Sequence, residues 1–384
     1  MAHPQFPQDA DIVYLNHAGV GAWPRKTSEA VTAFAQENAR RGAANYARWL
    51  ETEQRLRQRL ARLINAGDAE DIALIKNTSE ALSFIAYGIE WSAGDEVIIN
   101  DLEFPSNRIP WESLRDQGVT VRDVGLRNPE QASVEDALIA AMGPRTRLLT
   151  VSAVQYGIGL RMDLKRLAQA CRERGILFCV DAIQQLGAFN FDLARVDADF
   201  VVADGHKWLL GPEGLGLFYC RPELREQLRL TQYGWHMVEN AGDFDTKTWQ
   251  PAASARRFEC GSPNLLAVHA LDASLEVLQD DVGMPAVEAE LAANVGYLIE
   301  RIGESANLEV VSDTSPGRRS GIVVFQADGV DSKRLYRALR AEGVICAARG
   351  GGVRFSPHFY LSAVQLDYAV TRAEALARSF LETG

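Results

Sequence analysis

ILFCVDAIQQLG at residues 176–187 and DFVVADGHKWLLGPEGLG at residues 199–216 decide the architecture. Each opens with a short apolar run of the kind found in fully buried strands, and each ends in a polar group, Asp181 in the first and Gly205-His206-Lys207 in the second. Taken singly, an aspartate at a strand end is usually a helix cap and a lysine is usually a solvated charge. Delivered together by two successive strands of one sheet, a carboxylate and an amine can grip the two ends of one aromatic ring. The carboxylate keeps a ring nitrogen protonated, and the amine condenses with an aldehyde at the other end.

Working outward, apolar runs at 72–75, 97–99, 119–124, 148–151, 176–180, 200–203 and 215–219 alternate with amphipathic stretches. That alternation predicts a mostly parallel α/β sheet covered on both faces. The helix after Asp163 is the clearest. Asp163 caps it, Leu164, Leu167, Ala168 and Cys171 recur at helical spacing, and Gly175 closes it. Leu56, Leu60, Leu63 and Ile64 mark a helix upstream. Downstream, a helix through Val287, Leu291, Leu298 and Ile302, a strand at 321–325, a helix around Leu335 and Leu339, a strand at 353–355 and a last helix near 366–380 make a smaller α/β unit. The expected division is a large domain at 12–280 and a small C-terminal domain at 281–384, with residues 1–11 as an amino-terminal arm.

The 384 residues are 47% hydrophobic and 24% charged, ordinary for a globular protein, and the formal net charge of −11 argues against a nucleic-acid surface. Five cysteines without a C-x-x-C pair, and no histidine at ligand spacing, argue against a disulfide framework or a metal site. No apolar run approaches the length of a membrane span and the amino terminus lacks a leader pattern, which together predict a cytoplasmic enzyme.

Further constellations surround Asp181 and Lys207. Asn77-Thr78-Ser79-Glu80 joins a strand to a helical run, so Thr78 and Ser79 stand at a helix start, where free amides and hydroxyls bind an anion such as phosphate; the same four residues also read as a plain capping box. Phe104 follows the run at 97–99, at the sheet edge where α/β folds bind ligands. Arg349-Gly-Gly-Gly-Val-Arg354 offers two planar forks matched to carboxylates, and the glycines allow close backbone approach.

VDAIQQLG and DGHKWLLGPEGLG, with YLNHAG near the start and RGGGVRFSPHFY near the end, resemble the class V aminotransferase family of fold type I, which includes cysteine desulfurases, selenocysteine lyases, kynureninases and isopenicillin N epimerase. The resemblance implies a fold type I pyridoxal 5'-phosphate enzyme acting on an α-amino acid, with Lys207 holding the cofactor as a Schiff base and removing the Cα proton, and Asp181 at the ring nitrogen. It further implies a phosphate site of Thr78, Ser79 and His206, Phe104 stacked on the ring, and Gln155 and Gln184 near its phenolate oxygen. Arg354 becomes the carboxylate anchor, Arg349 a second contact, and His17 a substrate contact or proton shuttle, with a merely structural His17 as the alternative. Ser262, in FECGSPN, matches a segment that reaches the neighbouring subunit's phosphate, implying a homodimer with shared active sites.

Two departures stand out. Asp204 occupies a place where desulfurases carry a phosphate-donating serine, and the stretch before Arg354 lacks their persulfide-forming cysteine; the nearest, Cys346, sits in an apolar strand-like run. The expected activity is therefore C–S lyase or desulfurase-like chemistry without a persulfide cysteine, with an aminotransferase or epimerase as alternatives. A pyridoxal-phosphate-responsive regulator is disfavoured because no residues are spare for a DNA-binding segment.

Overall fold

The computed structural model describes residues 3–127 and 132–383; residues 1–2 of the expected arm and Gly384 lie outside the described residues. The seven apolar runs become β1 (Ile72–Ile75), β2 (Glu96–Asn100), β3 (Thr120–Val124), β4 (Thr146–Ser152), β5 (Leu177–Asp181), β6 (Phe200–Asp204) and β7 (Gly216–Cys220). They form one sheet in the order β1-β7-β6-β5-β4-β2-β3. Neighbours are parallel except β7, which is antiparallel to β1 and β6.

Central strands read as unbroken apolar runs because both faces are covered: every residue of β6 and β7 is buried. β3, at the sheet edge, has the sequence TVRDV and is largely exposed, its charges discouraging edge pairing with another chain. The helix Leu164–Arg174 is bounded as its sequence predicts. Asp163 accepts a hydrogen bond from the Arg166 amide, and Gly175 takes a left-handed conformation at φ 67°.

Residues beyond 280 build a second layer. Helix Met284–Gly303 buries Val287, Leu291, Leu298 and Ile302. With helices Ser332–Ala341 and Ala363–Thr383 it packs beside a four-stranded antiparallel sheet, Ala347–Arg349, Gly352–Phe355, Val323–Ala327 and Leu308–Val310 in spatial order. Val13–Tyr14 pairs in parallel with Val344–Ile345, tying the amino-terminal segment to this layer. Among the described residues no helix is long and apolar enough to cross a membrane.

Register sets up the chemistry. Ser152 at the end of β4 pairs with Asp181 at the end of β5, and Asp181 pairs with Val202 of β6. Three parallel strands thus present their carboxyl ends, and the loops that follow, at one edge.

Candidate active site

At that edge lies a cleft of about 300 Å³, walled by the strand ends and by Arg349 and Arg354 from the smaller sheet. Asp181 is 2% exposed, and one of its carboxylate oxygens accepts the Ile183 amide at 3.0 Å. Burial pushes its carboxyl up to about 7, and the neighbouring Glu103 adds to that push. Desolvation lowers the Lys207 amine to about 8 against the opposing pull of Asp181, which brings its deprotonation closer to neutral pH. Its Nζ lies 5.7 Å from the centroid of the Phe104 ring. Phe104 is 43% exposed in the cleft wall, and Tyr156 supports it in an edge-to-face contact at 5.1 Å.

One end of the cleft is built on the helix Thr78–Gly88. Asn77 Oδ1 caps it by accepting the Glu80 amide at 2.9 Å, while the amides of Thr78 and Ser79 begin the helix without intrahelical partners. The Thr78 hydroxyl is buried and unpartnered, and Ser79 donates to Ser106 Oγ at 2.8 Å. His206 Nδ1 faces Asp204 Oδ2 at 3.5 Å, so the carboxylate that departs from the desulfurase pattern has an imidazole beside it.

Arg354 is 3% exposed and fixed by two hydrogen bonds, to the Tyr156 carbonyl at 2.8 Å and to Asn16 Oδ1 at 3.3 Å. Arg349 lines the same cleft from an exposed position. Gln184 is also in the wall; its Nε2 donates to the Ala18 carbonyl at 3.1 Å and its Oε1 accepts from Trp208 Nε1 at 2.8 Å. The segment through Asn16 closes over Lys207 by way of Gly21, whose amide donates to the His206 carbonyl at 2.7 Å. A Cβ at position 21 would lie 2.1 Å from the Lys207 carbonyl oxygen, so only glycine permits that approach.

Three residues singled out from the sequence lie elsewhere. Gln155 is fully buried and spends its Nε2 on Glu103 at 3.0 Å. Ser262 is exposed and outside this chain's cleft. His17 is fully buried behind it: Nδ1 donates to the Ser356 carbonyl at 2.9 Å and Nε2 accepts from the Tyr360 hydroxyl at 2.8 Å, which leaves neither nitrogen for substrate.

Glu103 is the site residue that sequence reading missed. This buried carboxylate accepts from Asn100 Nδ2 at 2.6 Å, Asn107 Nδ2 at 3.0 Å, the Ser152 amide at 2.7 Å, and Gln155 Nε2 at 3.0 Å, and it also accepts from the Ser152 hydroxyl. It braces the ends of β2 and β4 beside Asp181. The available signal was polar Asn100, Glu103 and Asn107 crowding one strand end. Glu53, His236 and Glu259 also converge, although no sequence spacing announced them; the Arg57 guanidinium bonds both carboxylates there.

The buried histidines make a pH prediction. His358 Nε2 donates to the Trp208 carbonyl at 3.1 Å and its Nδ1 accepts the Phe359 amide, so protonation would set a donor against a donor. Burial lowers His358 from 6.5 to about 4, and burial with His358 nearby lowers His17 well below 6.5. The depressed folded value of His358 means stability fully present above pH 6.5 and lost as pH falls toward 4, at about 1.4 kcal/mol per pH unit, and His17 acts in the same direction. Denaturant unfolding of wild type and His358→Gln from pH 7.5 to 4.5 measures this. The variant should show the shallower slope, and equal slopes would remove His358 from the acid response.

The cleft fits a phosphorylated pyridine aldehyde. Thr78 Oγ1, Gln155 Oε1, Asp204 Oδ1, His206 Nδ1 and Arg354 Nε are buried without hydrogen-bond partners in and behind its walls. A carboxyl held up by burial would gain a cationic partner in a protonated ring nitrogen, and a low-pKa amine stands where an aldehyde would be bound.

Comparison with known proteins agrees. The aminotransferase class V family model matches residues 13–373. A probable cysteine desulfurase of Methanothermobacter thermautotrophicus is 28% identical, covering 96% of this chain and 95% of its own length. Isopenicillin N epimerase of Streptomyces clavuligerus is 30% identical, with 96% of each covered. In fold the chain is similar to the cystine C-S lyase C-DES, solved with its product cysteine persulfide, at TM-score 0.88, 22% identity and coverage of 96% of this chain and 99% of that one. Similarity to the Escherichia coli cysteine desulfurase CsdA gives TM-score 0.86 at 24% identity, covering 98% and 97% of the two chains. With a match spanning nearly its whole length and a cleft that fits the family's cofactor, this chain belongs to the class V aminotransferase family of pyridoxal-phosphate-dependent enzymes.

Proposed function

We propose that the enzyme binds an α-amino acid in this cleft, removes its Cα proton with Lys207, and cleaves a carbon–sulfur bond without a persulfide cysteine on the protein. The observation that carries the reading is the convergence of Asp181, Lys207 and Arg354 on a cleft whose wall, among the described residues, includes no cysteine. When bound, pyridoxal phosphate supplies the electron sink for negative charge at Cα. Arg354 takes the α-carboxylate in its planar fork and orients the Cα–H toward Lys207. Lys207 Nζ accepts that proton, its lowered pKa keeping it competent near neutral pH. Thr78, Ser79 and His206 would hold the phosphate, Asp181 the ring nitrogen, and Phe104 one ring face. Loss of a sulfur substituent from Cβ then releases the sulfur as a small molecule.

Cys346 supports that last step by its position. It is 2% exposed between two short strands, and burial pushes its thiol up to about 12, so it is a poor nucleophile. A second reading, epimerisation by return of the Cα proton to the opposite face, draws on the 30% identity to isopenicillin N epimerase. Transfer of the amino group starts from the same deprotonation.

The exposed aromatics Tyr233, Trp235, Phe244 and Trp249 (62, 41, 77 and 61% exposed), on a segment that packs at Gly234 against Cys260, two residues before Ser262, support a homodimer in which Ser262 completes the other subunit's site.

One set of preparations tests the reading. With cysteine, sulfide should appear with pyruvate and ammonia, and with cystine, cysteine persulfide should appear with pyruvate and ammonia; the protein should gain no sulfur, and Cys346→Ala should keep most of its activity. A stoichiometric one-sulfur mass increase on Cys346, lost with activity in the alanine variant, would return the enzyme to persulfide chemistry. Formation of D-amino acid, or of a keto acid that retains the substrate's sulfur, in place of these products would select epimerisation or transamination. Light scattering should give twice the 42.3 kDa chain mass, and a monomeric mass would remove the shared site.

A further inference from the structure

Two guanidinium groups face the cleft, and the α-carboxylate of an amino acid occupies one. Arg354 is the buried one, braced by Tyr156 and Asn16. Arg349 is exposed, and its hydrogen bond goes to the carbonyl of its neighbour Ala348 at 2.9 Å. Asp181, Asp204 and Glu213 are the acids of the wall, and none forms an ion pair with Arg349. The two arginines feel each other: part of the depression of the Arg354 guanidinium, after burial, comes from Arg349. Like charges facing one partly desolvated cleft without a protein counter-ion favour an anion between or beside them.

Arg349 is also placed by the fold. Gly350 has φ +62°, and a Cβ there would lie 2.3 Å from the Gly157 carbonyl oxygen, so the turn that follows Arg349 is seated directly on the Tyr156–Gly157 turn. That same turn supplies the carbonyl that fixes Arg354. On the far side, Gln326 Nε2 and Ser332 Oγ donate to the Gly351 carbonyl at 3.0 and 3.1 Å and clamp the loop. Both forks are therefore referenced to one backbone element, and a substrate whose carboxylate lies on Arg354 extends its side chain within the same bounded space.

We propose that Arg349 is a specificity residue that selects α-amino acids carrying a second anionic group on the side chain, a carboxylate or other oxyanion, held at its planar fork while Arg354 holds the α-carboxylate. The inference rests on the amino-acid reading above and names the substrate class for it.

Binding to the holoenzyme, followed by change in its visible absorbance, tests it with matched pairs that differ in charge and little in shape: L-glutamate against L-glutamine, and L-aspartate against L-asparagine, with L-alanine as reference. At least one acid should bind about tenfold or more tightly than its amide, the scale of a charge-assisted pair. Arg349→Gln should bring that ratio close to one while weakening alanine far less than the acid, and Arg349→Lys should restore part of it. An acid-to-amide ratio near one in wild type overturns the proposal. So does an equal loss for acid, amide and alanine in Arg349→Gln, which would make Arg349 a second grip on the α-carboxylate. If no amino acid of either kind perturbs the spectrum, the amino-acid reading falls and takes this one with it.

Discussion

The Lys207→Ala variant is expected to lose covalent attachment of pyridoxal phosphate completely and turnover by at least about a thousandfold, because in the proposed function one side chain supplies both the imine nitrogen and the base. Few groups nearby could substitute. Lys76, just after the strand that leads into the helix Thr78–Gly88, is paired with Glu80 at 3.0 Å, and that pairing raises its amine and holds it protonated. Arg354 and Arg349 do not form imines at working pH. The variant should still bind the cofactor reversibly, since Thr78, Ser79 and His206 remain. Borohydride reduction followed by peptide mapping makes the measurement: wild type should carry the reduced adduct on Lys207, and the variant none. A reduced adduct retained elsewhere in the variant, with activity preserved, would displace Lys207 from its role.

Much of this molecule was legible in its sequence because its central sheet is buried on both faces. Such strands cannot alternate polar with apolar residues, so β5 and β6 announce themselves as LFCVD and FVVAD, and the polar residue ending each run marks the functional edge. The helix Leu164–Arg174 was equally plain because Asp163 and Gly175 punctuate it. What escaped was of two kinds. The strands Leu308–Val310 and Ala347–Arg349 are three residues long and lie beside turns, too short for a period to show. Side-chain direction escaped as well. His17 lies in a motif next to the cleft, yet its ring turns into the core to meet Tyr360 and Ser356, and Gln155 turns to Glu103. Glu103 went unread because a lone glutamate between Leu102 and Phe104 looks like a surface residue until five donors are found around it. Sequence spacing places a residue at a strand end, but packing decides which way it faces.

Asp181→Asn should slow exchange of the substrate Cα proton with solvent by on the order of a hundredfold or more while leaving the Lys207 linkage intact. The substitution nearly conserves shape. Asparagine Oδ1 can still accept the Ile183 amide that Asp181 now holds at 3.0 Å, so the end of β5 has no reason to shift. What disappears is the charge. A carboxyl at this site is raised to about 7 by burial when it stands alone, and a protonated ring nitrogen would be the cation that draws it back to the ionised form. An amide offers no such reciprocal stabilisation, so the ring nitrogen loses its proton and with it most of its capacity to absorb negative charge from Cα. Attachment to Lys207 depends on the opposite end of the ring, so borohydride should still fix the cofactor to the variant. Proton NMR of an amino acid in deuterated buffer follows the exchange directly, without requiring the physiological substrate or the step after deprotonation to be known. Exchange at the wild-type rate in Asp181→Asn, with cofactor loading verified by absorbance, would show that the ring nitrogen is held by some other group and would separate Asp181 from the chemistry that its place at the sheet edge assigns it.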